Sequence, residues 1–353
     1  MKNLIHHFEN SIQLLCVILL VSFIHSCKSD KPEDEIKPVI DLKSEQGLYV
    51  INEGNFQFGN ASISYFNADD KNVIEDLYHQ VNNQNLGDVC QSMSLINGSY
   101  YVVVNNSQKI EILNLETFER KATITGLLSP RFIIPVSSSK AYVSDFKSHR
   151  VSIINLSNNS KQGEIPIRGW TEEMHLMYGK VYITNMKNDK LYIVDSSTDM
   201  LEDSLTLSEH PGSLVEDKNG KLWVLCQGDA SLQKMAALYC INPITKNIEK
   251  RYDFGAQDAP MRLSINGTFD TLYYINKHVY QMPVDASNLP LSALINGDSK
   301  NYYGINIEPK TGHIYVADAI DYIQKGYVYN YNSKGAMLEK FKVGLIPSRI
   351  YFK

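Results

Sequence analysis

Apolar and polar positions along this chain fall into short strand-length runs, and one such run keeps returning. It reads as a small or charged residue, one or two aliphatic residues, an aromatic, further β-formers, and then Asn, Asp or Gln. Copies are G-L-Y-V-I-N at 47–52, S-Y-Y-V-V-V-N at 99–105, K-A-Y-V-S-D at 140–145 and K-V-Y-I-T-N at 180–185. K-L-W-V-L-C-Q at 221–227, T-L-Y-Y-I-N at 271–276 and H-I-Y-V-A-D at 313–318 complete the set. Aligned on the aromatic, Tyr49, Tyr101, Tyr142, Tyr182, Trp223, Tyr273 and Tyr315 are separated by 52, 41, 40, 41, 50 and 42 residues. A repeat of ~40–50 residues built from short strands is the period of a β-propeller blade.

Each copy is followed by a turn and a second alternating run, such as K-I-E-I-L-N at 109–114. A polar turn then leads to a third run, such as E-D-S-L-T-L at 202–207. Turn residues between short alternating runs give an up-and-down meander of hairpins. A loop with a small residue, Pro and often Arg comes next: S-P-R at 129–131, A-P-M-R at 259–262, I-P-S-R at 346–349. It leads into the innermost strand of the next blade. The first copy therefore enters its blade at the second strand, while R-I-Y-F-K at 349–353 is an innermost strand with no blade of its own. Pairing the two fragments removes two exposed sheet edges, which are an aggregation hazard. The predicted fold is all-β: a seven-bladed β-propeller of four-stranded antiparallel blades over 47–353, closed by strand 349–353 joining the N-terminal blade. The 52- and 50-residue steps are too short for an eighth blade and predict long loops at 56–60 with 81–91, and at 228–235 with 256–258.

Ahead of the repeats, an apolar run at 12–24 ends in I-H-S-C at 24–27. This resembles a bacterial lipobox and predicts a signal peptide over 1–26 with lipidation at Cys27. The following K-S-D-K-P-E-D-E cannot bury apolar surface, so 27–46 is expected to be a solvated tether. It also resembles the acidic export signal of Bacteroidetes surface lipoproteins. The expected location is the outer membrane, held by the lipid anchor alone and facing the cell exterior; a plain spacer on an inward-facing anchor has the same composition. Cys90, Cys226 and Cys240 remain, an odd number expected as buried free thiols. With 43% hydrophobic and 21% charged residues the chain is not a disordered one. A net charge of -5 gives no electrostatic case for a nucleic-acid partner.

In a propeller, the loop after each second strand and the loop into the next innermost strand emerge on one face. The motif's terminal residues, Asn52, Asn105, Asp145, Asn185, Gln227, Asn276 and Asp318, ring that face. Asn and Asp also stop strands and make turns, so each has a purely structural alternative. The loop at 53–60 adds Asn55, Phe56 and Phe58, and other loops add Phe146, Trp170, Met186 and the pair Tyr302 and Tyr303. Aromatics beside amides suit a large, partly planar ligand rich in hydrogen-bonding groups. Arg131 joins the candidate set; like Arg262 and Arg349 it follows the proline, and each either reaches a ligand or pairs with a neighbouring blade's acid. Glu172 and Glu173, being adjacent, are expected to diverge. There is no G-x-S-x-G, no H-E-x-x-H, no Gly-rich phosphate loop and no zinc spacing. The expectation is a binding protein with no catalytic residue, metal or cofactor, although the fold by itself does not exclude an enzyme.

Several stretches carry a family resemblance: G-L-Y-V-I-N-E-G-N-F at 47–56, N-A-S-I-S-Y-F at 60–66, L-G-D-V-C-Q-S-M at 86–93, V-V-N-N-S-Q-K-I at 103–110 and I-T-G-L-L-S-P-R at 124–131. With the leader, they resemble the YncE-like propellers and, more narrowly, the cobalamin-binding BtuG group of Bacteroidetes surface lipoproteins. The resemblance spans 47–353 and is densest in the first three blades. It implies capture of cobalamin or another corrinoid at the loop face, without catalysis, and delivery to a TonB-dependent outer-membrane transporter. The alternative is a non-catalytic cell-surface interaction protein of another nutrient-uptake complex or surface layer.

Overall fold

The motif strand is the most deeply buried element of each blade, which explains its composition. Leu48–Asn52, Ser99–Val104, Leu222–Cys226 and Ile314–Asp318 are buried at every position. A strand covered on both faces needs apolar side chains on both, so it reads as a run rather than an alternation. The outermost strands, such as Arg120–Ile124, Met200–Thr206 and Ile248–Asp253, are largely exposed and correspondingly polar.

The computed structural model describes residues 40, 42, 44–297 and 299–353. They form seven antiparallel blades in a ring. Blade 1 runs outward through Pro347–Phe352, Leu48–Asn52, Ser62–Asn67 and Asn72–Ile74. Blades 2 to 7 follow in chain order, with innermost strands Cys90–Ile96, Pro130–Pro135, Thr171–Met177, Pro211–Glu216, Met261–Ile265 and Tyr302–Ile307. The ring closes as the phase of the repeat requires: Leu48 lies opposite Phe352, Val50 opposite Ile350 and Asn52 opposite Pro347. In blade 6 the ladder has three strands, and an isolated bridge from Val279 to Ile295 takes the outer position. The extra length of the long steps holds helix Leu77–Asn82 and the 3-10 turn Ala230–Leu232. Cys90, Cys226 and Cys240 are free and buried. The expected signal peptide at 1–26, Cys27 and most of the expected tether lie outside the described residues; of the tether's described end, Leu42 and Ser44 are buried rather than solvated. Among the described residues, no helix is long and apolar enough to cross a membrane.

Two sets of side chains join the blades. The motif aromatic of one blade reaches an outer turn of the next: the Tyr101 hydroxyl donates to Asn159 Oδ1 at 3.1 Å and that of Tyr182 to the Pro243 carbonyl at 2.6 Å. Nearer the axis, side chains stitch each innermost strand to its neighbour. Met93 N donates to Tyr351 Oη (3.0 Å), Ser92 Oγ to the Arg131 carbonyl (2.7 Å), and Arg131 to Glu172 (2.7 Å). Leu214 N donates to Glu173 (3.2 Å), Leu263 N to Ser213 Oγ (3.0 Å), Arg262 Nε to the Tyr303 carbonyl (3.0 Å), and Ile350 N to Asn306 Oδ1 (3.2 Å). Every blade junction therefore carries at least one polar bridge.

Candidate functional site

Each innermost strand opens with a break in register where it pairs with the motif strand. Such a β-bulge sets two residues against one and re-aims a side chain. The ladders open at Pro347, Cys90, Pro130, Thr171, Pro211, Met261 and Tyr302. The residues that follow are Ser348, Gln91, Arg131, Glu172, Gly212, Arg262 and Tyr303. Gln91, Arg131, Arg262 and Tyr303 line one cavity of about 440 Å³, together with Glu53, Phe56, Asn105, Phe146, Lys147, Trp170 and Tyr322. The cavity is thus the mouth of the central channel on the loop face. Backbone bonds tie the two kinds of loop together there, among them Glu53 N to the Ile346 carbonyl (2.9 Å) and Asn105 N to that of Val89 (2.8 Å). Val89 and Ile346, both β-branched, hold left-handed φ of 58° and 57°. Such a conformation costs ~1–3 kcal/mol and persists where the surroundings over-determine it.

The charges of the mouth are arranged in pairs. Arg131 donates from Nε (2.7 Å) and Nη2 (2.6 Å) to Glu172, and from Nη1 to Gln91 (2.6 Å). Trp170 Nε1 donates to the same Glu172 at 2.6 Å, and its ring lies 5.3 Å under the Arg131 guanidinium. Burial works against the Arg131 charge, but the attraction of Glu172 and Glu53 outweighs it and holds the pKa above the ordinary guanidinium value. Arg349 of blade 1 spans to Glu173 of blade 4 at 2.7 Å and stacks on Phe132 at 4.6 Å. Arg262 stacks on Tyr303 at 5.0 Å, and Glu53 is 3.5 Å from its Nη2. The Tyr303 phenol is pushed up to about 12, by burial first and then by Glu53. Phe146 and Trp170 pack with ring centroids 4.4 Å apart, as do Tyr303 and Tyr322 at 5.6 Å.

Of the residues singled out from the sequence, Phe56, Asn105, Arg131, Phe146, Trp170, Arg262 and Tyr303 line this cavity. The Asn and Asp ring bonds mainly to the chain itself, with Asn52 Oδ1 buried and without a partner among the described residues. Asn52 Nδ2 donates to Ser64 Oγ (2.9 Å), Asn105 Nδ2 to Ser129 Oγ (3.0 Å) and Asn185 Nδ2 to the Arg168 carbonyl (2.9 Å). Asp145 accepts from Ser129 N (2.8 Å) and Asp318 from Asn301 N (2.9 Å), while Asn276 Nδ2 donates to Asp258 (2.9 Å). Asn55 braces its loop by donating to the Tyr322 carbonyl at 2.7 Å. Phe58 points instead into a separate depression beside Glu75 and Lys325. Met186 and Gln227 are half-buried and do not line the cavity. Tyr302 lies in the core of blade 7 with its hydroxyl 2.7 Å from that of Tyr331, and its neighbour Tyr303 takes the mouth position. Glu172 and Glu173 both reach the axis, against expectation, because the bulge between Thr171 and Met174 breaks the alternation that would have parted them. Glu53, Gln91 and Tyr322, which also line the cavity, carry no motif signal in the sequence. Their only common feature is position, one step into a bulge or in a loop facing one.

Fold and mouth together define a β-propeller compatible with binding a ligand or a partner. The chain belongs to the family described as a domain of unknown function, DUF5074, which matches residues 46–344. No curated protein matches it. Among solved structures it is similar to a quinonprotein alcohol dehydrogenase-like protein of Bacteroides thetaiotaomicron: TM-score 0.70, 14% identity, covering 88% of this chain and 78% of that one. It is also similar to a periplasmic gluconolactonase of Pseudomonas aeruginosa (0.66, 11%, 86% and 99%). A third is a proposed 6-phosphogluconolactonase of Bacteroides fragilis (0.66, 10%, 89% and 99%). The two lactonase propellers correct the expectation of a protein without catalysis. That expectation rested on missing linear motifs, whereas a propeller gathers its groups from separate blades, as this mouth gathers Glu53, Arg131, Glu172 and Arg262. At 10–11% identity these neighbours share the architecture alone and leave enzymatic activity open.

Proposed function

We propose that the channel mouth captures an organic ligand, and that this ligand is a corrinoid which the protein, tethered at the outer membrane through Cys27, passes to a TonB-dependent transporter. The observation that carries the reading is the convergence of two aromatic pairs, Phe146 with Trp170 and Tyr303 with Tyr322, on a cavity that also holds Arg131 and Arg262. Ring faces give contact area to a planar body while fixed N–H donors orient its polar fringe. A corrin offers such a face, fringed with amides. It is larger than the cavity and would extend over the mouth against Phe56, which is 57% exposed. The corrinoid identity draws its support from the resemblance at 47–56 and 86–93. Titrating residues 44–353 with cyanocobalamin tests it. Saturable binding at micromolar ligand or below is expected, and no binding in that range sinks the corrinoid identity.

A second reading, an interaction protein of another uptake complex, draws on Phe58 (76% exposed) and Ile323 (77% exposed). Both lie in loops of the same face yet outside the cavity, where a protein partner would cover them. Co-purification of a TonB-dependent transporter with ligand-free protein would favour it.

A further inference from the structure

We infer that Arg262 is an anion anchor, held in readiness by Glu53, which binds a carboxylate or phosphate group carried on a planar organic ligand. The inference rests on the reading of the mouth as a ligand site, and is independent of the corrinoid identity. The three arginines near the axis are unequally engaged. All three nitrogens of the Arg131 guanidinium bond to Glu172 or Gln91. Arg349 makes one close ion pair, from Nη2 to Glu173 at 2.7 Å; its Nε is buried with no partner among the described residues, and it does not line the cavity. Arg262 makes one hydrogen bond, from Nε to the Tyr303 carbonyl at 3.0 Å. Its Nη2 stands 3.5 Å from Glu53 Oε1, and its Nη1 has no hydrogen-bond partner among the described residues.

The free end is nonetheless well placed. Stacking on Tyr303 orients the guanidinium plane, so little order remains to be imposed when a fork of two N–H groups meets two oxygens. The Arg262 backbone holds a left-handed φ of 59°, inside the bulge between Met261 and Ser264, a strained conformation that is fixed by its surroundings. Glu53 holds both of its partners loosely: Arg262 at 3.5 Å and the Tyr303 hydroxyl at 3.3 Å. With only 15% of the Arg262 side chain and 13% of that of Glu53 exposed, the pair is shielded by the mouth, where a poorly made ion contact is weak. An incoming oxyanion offers Arg262 the bidentate contact that Glu53 does not make, and displaces it. Because Glu172 and Glu173 already balance Arg131 and Arg349, the groups left to select the ligand are Arg262 and Lys147 against Glu53. The aromatic pairs then receive the planar part.

Phenyl phosphate is a minimal probe, with phenol as its uncharged counterpart. Trp170 reports binding, since the other tryptophan, Trp223, is buried and bonded to Asp217 away from the mouth. Saturable fluorescence change with phenyl phosphate is expected, at least ten-fold weaker in Arg262→Gln and several-fold tighter in Glu53→Gln, where the competing carboxylate is gone. Arg262→Lys keeps the charge without the fork and should recover little. Circular dichroism and Tm confirm that the variants are folded. The inference is overturned by no saturable change up to ~10 mM, the range a fragment's ligand efficiency allows. Equal affinity for phenol, weaker binding in Glu53→Gln, or full affinity in Arg262→Lys also overturns it. Binding of phenyl phosphate without cyanocobalamin removes the corrinoid identity and leaves the anchor. The reverse removes the anchor and leaves the corrinoid.

Discussion

Glu172 shows how strongly single residues are coupled in the mouth. It accepts two hydrogen bonds from Arg131 and one from Trp170 while almost wholly buried. Removing one partner of a buried pair leaves the other charge uncompensated, so Arg131→Ala is expected to cost ~3–5 kcal/mol in urea unfolding. Replacing both, as Arg131→Met with Glu172→Met, should recover most of that loss, less about 1 kcal/mol for the orphaned Trp170 N–H. A double variant no better than the single would show that the pair is not the source of the loss. The sequence made this pair hard to see. Side-chain alternation predicts that adjacent glutamates diverge, and only the bulge after Thr171 brings both to the axis. The Asn and Asp residues that end each motif were conspicuous for a different reason. They recur because every blade needs the same tie between the end of one strand and a nearby loop, as Asp145 makes to Ser129 N. Regular recurrence thus marked the joints of the frame, while the mouth is built where the blades differ: Gln91, Arg131, Glu172, Arg262 and Tyr303 occupy one position in five blades.

The seam between blades 7 and 1 is the element on which the ring depends. Gly304 follows the bulge of blade 7, and a Cβ added there would come within 2.3 Å of the Ser348 carbonyl oxygen in the closing strand. The obstacle is backbone, which has no rotamer to give. Gly304→Ala should therefore cost ~1–3 kcal/mol, read as a lower Tm with faster amide exchange in Leu48–Asn52. Unchanged exchange in that strand would place the loss elsewhere. The seam was legible because the chain begins its repeats at a second strand and ends on an unpaired first one. Pro347–Phe352 beside Leu48–Asn52 is the one pairing that completes both. Blade 6 was less legible. After His278–Pro283 the chain has no further alternating run, and a single bridge at Ile295 stands where the repeat led to a fourth strand.

At the scale of the whole ring, the tyrosines tie stability to alkaline pH. Tyr78, Tyr303 and Tyr315 are each pushed up to about 12, by burial first and then by the nearby Glu111, Glu53 and Glu339 respectively. Burial raises Tyr101, Tyr182 and Tyr273 as well, all motif aromatics wedged between blades. A raised pKa in the folded state means that folding favours the neutral phenol. That contribution is fully present below the unfolded value near 10 and is lost as pH rises through 12. For the nearly solvent-free Tyr78 and Tyr315 it is on the order of 2 kcal/mol each. A domain's whole stability is ~5–15 kcal/mol, so a few such ionisations suffice to unfold it. Because polar bridges cross every blade junction, one blade cannot open without loosening its neighbours. Stability should therefore hold level from neutral pH to about 10 and then collapse in one step between about 10 and 12. Phenolate absorbance beyond that of exposed tyrosines such as Tyr178 and Tyr322 should rise together with the loss of β-sheet dichroism there. Phenolate in excess of that from the exposed tyrosines appearing well before the dichroism falls would mean that the inter-blade tyrosines ionise in the intact ring, and that their burial does not hold it closed.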